Sequence, residues 1–433
     1  MNILAEELNR TLSDSVAYGF LSPTGRRMYF PKGIVAQSDE AKEKAKKYNA
    51  TVGLATKNGE PFYLSDIWST FKEDVFRPSQ IFSYAPGGGD KKLRALWRDS
   101  LVEKNPTLKG KRFSLPIVTG GLTHAISMAA RLFVAEGDEV VCPDLFWDNY
   151  DLIFRDLIGA EPVLFPFYGE HGGFNIEGMK KALLSVKGDR ARIILNFPNN
   201  PTGYTPSVEE AKEIVNAVVS VAETGKKILV ISDDAYFGLF FEDGTEKQSL
   251  FSYFADAHEN IFAIKGDAAT KEEMVWGFRV GFITYASKGF TDVHLDALTK
   301  KTLGLIRCTV SNCDRPGQSL IVEAIERGSH YNEDKAALFA EMKKRYTIVH
   351  KAVKKHENES LLTPYAFNSG YFMAFDTHGK SAEDLRTYLL DKYQIGVINI
   401  MGGTLRVAYC SVEPEGLEEL IDTIYQAAGE IWS

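Results

Sequence analysis

Short apolar runs alternate with helical periodicities through the middle of the chain, from about Thr119 to Tyr285. Each run is nearly continuous in its apolar character, which is typical of strands covered on both faces in a mostly parallel sheet. The predicted strands are Glu139–Cys142, Arg192–Leu195, Ile228–Ile231, Ile261–Ile264 and Gly281–Thr284. Strands that alternate with helices predict an α/β fold, with crossover helices on both faces of the sheet.

Two helices can be placed from their own patterns. Ser207 is followed three residues later by Glu210, which resembles a capping box, and apolar residues at helical spacing come after it. A second amphipathic pattern follows Pro414 and predicts another helix. The first 45 or so residues are polar and are expected to be irregular, apart from the Lys-rich stretch Lys42–Lys47, which is typical of a solvated helix face.

Length and composition are those of an ordinary globular protein. The chain has 433 residues, 44% of them hydrophobic and 25% charged, so one large and one smaller domain are expected. We predict an N-terminal arm with part of the small domain over residues 1–66, the large domain over 67–316, and the rest of the small domain over 317–433. The net charge of -8 argues against nucleic acid and anionic membranes as partners.

The sequence contains no pattern that predicts export or a membrane anchor. No apolar run approaches the roughly 18 residues of a membrane span, and Glu6 and Glu7 stand where a secretory signal carries positive charge. Four cysteines in so long a chain do not make a disulfide framework, which favours a reducing cytoplasm. Cys308 and Cys313 lack a second pair of ligands, so no metal site is expected.

Side chains near the ends of the predicted strands suit one cofactor. Lys271 supplies an amine, Arg279 supplies a guanidinium eight residues later, and Asp233 supplies a carboxylate just after Ile228–Ile231. Pyridoxal phosphate needs a lysine for its aldehyde, a cation for its phosphate and a carboxylate for its ring nitrogen. Open sheets bind ligands at the carboxyl ends of their strands, so these side chains are predicted to meet there.

Two further segments fit such a site. The turn Asn200–Gly203 follows a predicted strand, and Thr119–Thr123 leads into a predicted helix whose first amides form an anion seat with the Thr123 hydroxyl. The stretch before the lysine, Gly266–Thr270, is expected to be a loop. Each feature alone is most often ordinary structure, such as a turn, a loop acid or a solvated lysine. The prediction of a pyridoxal-phosphate site depends on the order of these features along the chain.

In this order the segments resemble the class I aminotransferases of the fold-type I pyridoxal-phosphate enzymes, from about Asn49 to Ser411. The resemblance implies a large domain with a mostly parallel sheet flanked by helices, and a smaller α+β domain. It also implies a homodimer with shared active sites, which moves an amino group between an amino acid, aspartate or aromatic, and a 2-oxo acid such as 2-oxoglutarate.

Two other functions stay open at this point. A lyase or decarboxylase on the same scaffold is the nearer alternative, because the same lysine, aspartate and arginine serve those reactions. A regulator that binds the cofactor without turnover is less favoured, because about 45 residues before the recognisable region are too few for a basic DNA-binding module.

The resemblance assigns roles to individual residues. Lys271 would be the Schiff-base lysine, Asp233 would pair with the ring nitrogen, and Tyr236 would bond the ring oxygen. The other cofactor ligands would be Gly121, Leu122, Thr123, Trp147 stacked on the ring, Asn200 on the ring oxygen, Arg279 on the phosphate, and Tyr84, which reaches the phosphate of the neighbouring subunit. The substrate would contact Gly53, Asn200, Arg406 with its α-carboxylate and Arg307 with a side-chain carboxylate.

Four residues depart from the family pattern. Ala268 stands where many relatives have a phosphate-binding serine. Tyr150 stands where aspartate-type members have a histidine behind the aspartate, and Cys313–Asp314 replaces a pair of prolines. These departures bear on the choice of substrate more than on the chemistry.

Overall fold

The computed structural model describes residues 2–15, 18, 21–29, 34–72, 74–170, 172–400 and 403–432. A seven-stranded sheet and a four-stranded sheet form the framework of this part of the protein. Among these residues the strands are β1 (Tyr48–Asn49), β2 (Thr56–Lys57), β3 (Glu60–Pro61), β4 (Ile117–Thr119), β5 (Glu139–Pro143), β6 (Glu161–Phe165), β7 (Arg190–Asn196), β8 (Lys227–Asp233), β9 (Ile261–Ala268), β10 (Gly281–Ser287), β11 (Thr363–Pro364), β12 (Phe372–Asp376), β13 (Ile395–Gly396), β14 (Ile398–Ile400) and β15 (Thr404–Ala408).

The helices connect and cover these strands. Within the described ranges they are α1 (Ile3–Leu12), α2 (Pro23–Arg27), α3 (Ile34–Lys44), α4 (Ser65–Ser69), α5 (Pro78–Ile81), α6 (Lys91–Lys104), α7 (Leu122–Phe133), α8 (Ile176–Ser185), α9 (Val208–Ala222), α10 (Leu250–Phe254), α11 (Ala269–Glu272), α12 (Asp292–Thr309), α13 (Pro316–Arg327), α14 (Tyr331–Lys355), α15 (Ala382–Tyr393) and α16 (Pro414–Trp432). A π-helical segment, Asp151–Ile158, and the 3₁₀ turns Pro106–Leu108, Trp276–Phe278 and Tyr409–Ser411 complete the regular structure of this part of the chain. None of these helices combines the length and the apolar character that a membrane crossing needs.

The larger sheet has the order β4-β10-β9-β8-β7-β5-β6. Its strands pair in parallel from β9 to β6, whereas β10 runs antiparallel to both of its neighbours. All five predicted strands are confirmed, with longer bounds, and the edge strands β4 and β6 are additional. Because β6 lies on one side of β5 and β7 on the other, the chain reverses its direction across the sheet at β5, which is where open α/β sheets bind ligands.

The second sheet is antiparallel and has the order β11-β12-β15-β14. Beside it, β1 pairs in parallel with β13, so Tyr48 lies opposite Ile395. Helices α14 and α16 pack against each other in this half of the molecule. The early part of the chain therefore joins its late part, as expected for a small domain built from both. The boundaries at residues 66 and 316 stay a prediction.

The expectation of an irregular N-terminal region is wrong, because α1, α2 and α3 lie within it. The Asn2 side chain accepts a hydrogen bond of 2.9 Å from the amide of Leu4 at the start of α1. The Ser22 hydroxyl accepts one of 3.1 Å from the amide of Gly25 at the start of α2. Asn and Ser are preferred helix caps, so local signals for these helices are present in the sequence.

Both predicted helices are confirmed. At the start of α9 the Ser207 hydroxyl accepts a hydrogen bond of 3.1 Å from the amide of Glu210, and the Glu210 carboxylate accepts one of 2.8 Å from the amide of Ser207. This reciprocal pair is the capping box that the sequence indicates. The later amphipathic pattern forms α16, which begins at Pro414.

Candidate active site

A cavity of about 390 Å³ lies between the carboxyl ends of the large-sheet strands and the antiparallel sheet. Strands β7 and β8 end at Asn196 and Asp233 in its wall, and β12 and β15 contribute Phe372 and Arg406 from the opposite side. Ten of the sequence-predicted site residues line it: Gly53, Leu122, Thr123, Trp147, Asn200, Asp233, Tyr236, Lys271, Arg279 and Arg406. The cavity therefore brings most of the predicted site together.

Asp233 is a buried carboxylate with two hydrogen-bond donors. The Tyr150 hydroxyl donates to its Oδ2 at 2.5 Å, and the amide of Ala235 donates to its Oδ1 at 3.1 Å. Burial raises the pKa of Asp233 to about 6, while the Tyr150 hydroxyl and the Lys271 ammonium oppose the rise. Near neutral pH the side chain is therefore mainly an anion that faces the cavity.

Lys271 lies in α11, directly after the end of β9, and lines the same cavity. Its Nζ lies over the ring of Tyr236, 4.6 Å from the ring centroid. Burial lowers the pKa of Lys271 to about 8, although the Asp233 carboxylate opposes this shift. A substantial fraction of the side chain is therefore a neutral, nucleophilic amine in mildly alkaline solution.

The expected loop before Lys271 is wrong. Gly266 and Ala268 belong to β9, because Ala268 pairs with Gly281 of the antiparallel strand β10. Ala269 begins the turn of helix that carries the lysine, and Thr270 follows it in the cavity wall. The pairing with β10 fixes the position of the lysine more closely than a loop would.

Two asparagines tie the ends of β7 and β8 to each other. The Asn196 side chain donates to the carbonyl of Asp233 at 2.9 Å and accepts from the amide of Asn200 at 2.8 Å. The side chain of Asn200 in turn accepts a hydrogen bond of 2.9 Å from Nη1 of Arg406. The turn after β7 is therefore placed by a chain of buried hydrogen bonds rather than by its own sequence alone.

Arg279 lies directly against Gly121, at the start of α7. Gly121 has a φ of 89°, and a Cβ atom at this position would overlap with the Arg279 guanidinium. Among the described residues no side chain caps this helix start, so the amides of Leu122 and Thr123 remain available to an anion. The guanidinium therefore lies beside the helix start where the sequence predicts an anion site, and the binding of an anion there stays a prediction.

Arg406 is buried, with 2% of its surface exposed. Besides Asn200, it donates to the carbonyl of Thr51 at 2.8 Å through Nη2. Its guanidinium lies over the ring of Phe372, 4.4 Å from the centroid, and its Nε has no hydrogen-bond partner in the described structure. A buried cation held in a fixed plane can bind a carboxylate from the cavity.

Gly53 and Trp147 are the residues predicted to contact the substrate and to stack on the cofactor ring, respectively. A Cβ atom on Gly53 would lie 2.8 Å from Cζ of Phe372, and the carbonyl of Gly53 accepts a hydrogen bond of 3.2 Å from Trp276. Trp147 meets Tyr150 edge to face, with 5.7 Å between the ring centroids. Both predicted positions therefore border the space next to Asp233 and Arg406.

Three predicted residues do not line this cavity: Gly121, which packs behind Arg279, and the exposed residues Tyr84 and Arg307. Tyr84 is 89% exposed. Arg307 is exposed on α12 and donates a hydrogen bond of 2.5 Å to the Ser311 hydroxyl. Neither side chain lines the cavity of its own chain.

Several cavity residues were not predicted from the sequence. Asn196 could have been predicted, because it follows Arg192–Leu195 directly and so lies at a strand end. By contrast, Ser38, Asp39 and Lys42 reach the cavity from α3, where no local pattern indicates a site. The other unpredicted lining residues are Thr51, Val52, Ala235, Thr270 and Phe372.

Comparisons with known proteins show similarity over most of the chain. A sequence model of the family described as aminotransferase class I and II matches residues 55–424. A probable aspartate/prephenate aminotransferase of Aquifex aeolicus is 27% identical over 415 residues, which cover 93% of this chain and 97% of that protein. An aspartate aminotransferase of Pyrococcus horikoshii is 25% identical over 391 residues, which cover 87% of this chain and 91% of that protein.

A solved structure extends the likeness to three dimensions. The crystal structure of an aminotransferase from Anaerococcus prevotii has a TM-score of 0.83 with this chain at 27% identity. The match covers 93% of this chain and 98% of the other.

Proposed function

This chain belongs to the class I and II aminotransferases, and on that premise we propose that its cavity transfers an amino group from aspartate or an aromatic amino acid to a 2-oxo acid, with 2-oxoglutarate as the favoured acceptor. The protein is a pyridoxal-phosphate-dependent transaminase with the fold of type I enzymes. The observation that carries the proposal is the presence of Lys271, Asp233 and Arg406 in one cavity.

The residues around the cavity fit the cofactor. The amine of Lys271 suits its aldehyde, the buried Asp233 carboxylate suits its ring nitrogen, and Arg279 over Gly121 suits its phosphate. We assign the remaining contacts to Leu122 and Thr123 on the phosphate, Asn200 and Tyr236 on the ring oxygen, and Trp147 on the ring face. No side chain in the described part of the chain caps the start of α7, and this supports the phosphate assignment.

Each assigned side chain has a chemical task. Bound pyridoxal phosphate supplies an electron sink for the electron pair that remains when the substrate α-carbon loses its proton. Lys271 Nζ, as a neutral amine, accepts that proton and then donates it, so that one group acts as base and as acid. The Asp233 carboxylate keeps the ring nitrogen protonated, which the anionic form of this side chain favours.

Arg406 is proposed to orient the substrate through its α-carboxylate. Its Nη1 and Nη2 are held by Asn200 and by the carbonyl of Thr51, so the guanidinium cannot rotate freely. Gly53 leaves room for the substrate beside Phe372, because a side chain there would meet that ring. The relatives named as aspartate and aspartate/prephenate aminotransferases support aspartate as one substrate.

A homodimer is part of the proposal. The side chains of Phe82 and Tyr84 are 86% and 89% exposed, respectively, and such large apolar surface is commonly covered by a partner. Tyr84 would then reach the phosphate bound in the second subunit. Arg307 can contact a substrate only in the same way, because it lies outside the cavity of its own chain; its role on a side-chain carboxylate stays a prediction.

The four free cysteines support a reducing cytoplasm as the location.

Reductive trapping tests the proposal. Borohydride treatment of the yellow protein, followed by peptide mapping, is expected to label Lys271 with the cofactor. Lys271→Ala is expected to abolish turnover without loss of folded structure, whereas Lys300→Ala, which changes a lysine on the surface of α12, is expected to keep the wild-type rate. A label on another residue, or full activity of Lys271→Ala, would contradict the mechanism.

A survey of amino donors separates transamination from the lyase alternative. Glutamate, aspartate, phenylalanine, tyrosine and alanine are each mixed with the enzyme in the absence of an acceptor. A transaminase changes the cofactor absorbance permanently and releases a stoichiometric 2-oxo acid. A lyase or decarboxylase releases a different fragment and returns the original absorbance.

A further inference from the structure

The proposed function leaves two charged side chains of the cavity wall without a role. The charged residues that come from the large sheet and from β15 are assigned to the cofactor and to the substrate α-carboxylate. Asp39 and Lys42 also line the cavity, and both come from α3. They are the charged groups that remain, among the described lining residues, to meet the far end of a substrate.

The face of α3 that carries these residues is fixed toward the cavity. Ser38, Asp39 and Lys42 occupy positions i, i+1 and i+4, so they share one side of the helix. The other side is held by Gln37, which donates to the carbonyl of Asn399 at 3.1 Å and accepts from its amide at 2.8 Å.

A second contact holds the same helix. Ala41 is buried against Gly396 of β13, where an added Cβ would lie 2.8 Å from the Ala41 methyl group. The helix therefore cannot turn its charged face away from the cavity without losing both this contact and the hydrogen bonds of Gln37.

Lys42 and Asp39 neutralise each other when nothing else binds them. Nζ of Lys42 lies 2.8 Å from Oδ1 of Asp39, and the two side chains are 64% and 61% exposed. Exposed ion pairs contribute little free energy, so a ligand carboxylate can replace Asp39 as the partner of Lys42 at small cost. With an apolar ligand, Lys42 stays paired with Asp39, and the two charges cancel. With an anionic ligand, the Lys42 ammonium leaves Asp39 and pairs with the ligand.

We propose that Lys42 binds the second carboxylate of dicarboxylic substrates, with Asp39 as the group that this carboxylate displaces. The inference rests on the proposed function, because it takes the α-carboxylate to be bound by Arg406. With an aromatic substrate, the ion pair between Lys42 and Asp39 would stay intact. The substrate ring would pack against Val52 and Phe372, which also line the cavity. One site could then accept both substrate classes. Lys42 provides, within a single chain, the role that the sequence resemblance gives to Arg307.

Two substitutions with opposite expected effects test the proposal. Lys42→Met removes the cation, so kcat/KM for aspartate and glutamate should fall about 10- to 100-fold, the loss of one charged hydrogen bond. Values for phenylalanine and alanine should change less than about threefold. Asp39→Asn removes the competing anion, so kcat/KM for the dicarboxylic substrates should rise about two- to fivefold.

Lys44→Met is the matched control. Lys44 lies on the same helix, is 50% exposed and pairs with Glu40 at 2.8 Å, but it does not line the cavity. It should leave the ratio of dicarboxylic to monocarboxylic substrates unchanged. A binding readout independent of turnover is the thermal shift produced by maleate, which should be lost in Lys42→Met and kept in Lys44→Met.

The outcomes separate this inference from the function on which it rests. If Lys42→Met keeps the wild-type substrate ratio and the maleate shift, or if Lys44→Met changes them equally, the assignment of Lys42 is wrong. A selective loss of dicarboxylic substrates in Arg307→Leu alone would overturn it in favour of Arg307. Failure of the wild-type protein to react with any donor, alanine included, would instead reject the proposed function.

Discussion

The Tyr150 hydroxyl donates a hydrogen bond of 2.5 Å to Oδ2 of Asp233, and both groups are buried. The family resemblance implies a histidine at this position in aspartate-type members, and Tyr150 likewise places a hydrogen-bond donor behind the carboxylate. The hydroxyl favours the ionised carboxylate against the effect of burial. The departure noted in the sequence is thus a substitution of one donor for another.

Tyr150→Phe should shift the acid limb of the pH–rate profile to higher pH. The hydrogen bond lowers the pKa of Asp233 from what burial alone would give, so its loss raises that pKa above about 6. In the variant, Asp233 therefore becomes protonated at a higher pH than in the wild type. Less of it is ionised at pH 7, so kcat at that pH should fall about tenfold. The measurement is kcat against pH at saturating substrate.

Tyr285→Phe is the control for that experiment. Tyr285 is also buried, and its hydroxyl bonds to Thr302 at 2.7 Å, away from the cavity. The same chemical change there should lower stability without moving the pH profile. An unchanged profile in Tyr150→Phe would show that Tyr150 does not control the ionisation of Asp233.

Capture of pyridoxal phosphate by the cofactor-free protein should accelerate as pH rises through about 8. Burial gives the Lys271 amine a pKa of about 8, and only the neutral amine attacks an aldehyde. Below that pH the ammonium form dominates and the rate should fall about tenfold per pH unit. Stopped-flow absorbance at several pH values measures this. A midpoint near pH 10, that of a solvated lysine, would mean that the amine is not buried before the cofactor binds.

Mixed dimers should show whether Tyr84 serves the neighbouring subunit. Tyr84→Ala is expected to weaken cofactor binding, and Lys271→Ala is expected to be inactive. When the two chains are coexpressed, a shared-site dimer contains one complete site, so roughly a quarter of the wild-type activity should return at limiting cofactor. If sites are not shared, the mixture should show no more than the diluted activity of Tyr84→Ala.

Gly203→Ala should destabilise the protein far more than Gly238→Ala. Gly203 has a φ of 76°, and an added Cβ would overlap with the carbonyl oxygen of Phe372. Gly238 has a φ of 90° with no atom within 4 Å of the added Cβ, so it isolates the cost of the backbone conformation. We expect losses of about 1 kcal/mol at Gly238 and about 3 kcal/mol at Gly203 in the free energy of unfolding.

Chemical denaturation followed by circular dichroism measures both losses. Equal values would mean that the turn after β7 can move away from β12 without cost. The turn would then not be held by the antiparallel sheet.

The half of the cavity that we assign to the cofactor could be predicted because its residues follow apolar runs directly. Asp233, Asn200 and Lys271 each come within a few residues of a strand end, and a parallel sheet places such ends at one edge. The positions of α3 and its charged residues could not be predicted in this way. Gln37 and Asn399, which hold that helix, are separated by 362 residues, and no local pattern contains such a contact.

Errors at the edges of the large sheet have a similar cause. Strand β4 has three residues and β6 begins with Glu161 and Pro162, so neither resembles the long apolar strands of the centre. The extension of β9 to Ala268 depends on its pairing with β10, which runs in the opposite direction. Strand length at these places is set by the partner rather than by the segment itself.

The hydrogen bond from Arg406 to the carbonyl of Thr51 joins residues 355 positions apart. During translation, the strands from β4 to β10 emerge long before Arg406 does, so a nascent chain can first form the side of the pocket that we assign to the cofactor. The side that we assign to the amino acid is complete only when β15, which carries Arg406, has left the ribosome. A product that terminates before β15 would therefore keep the strand ends that we assign to vitamin B6 while lacking the guanidinium that we propose for the α-carboxylate.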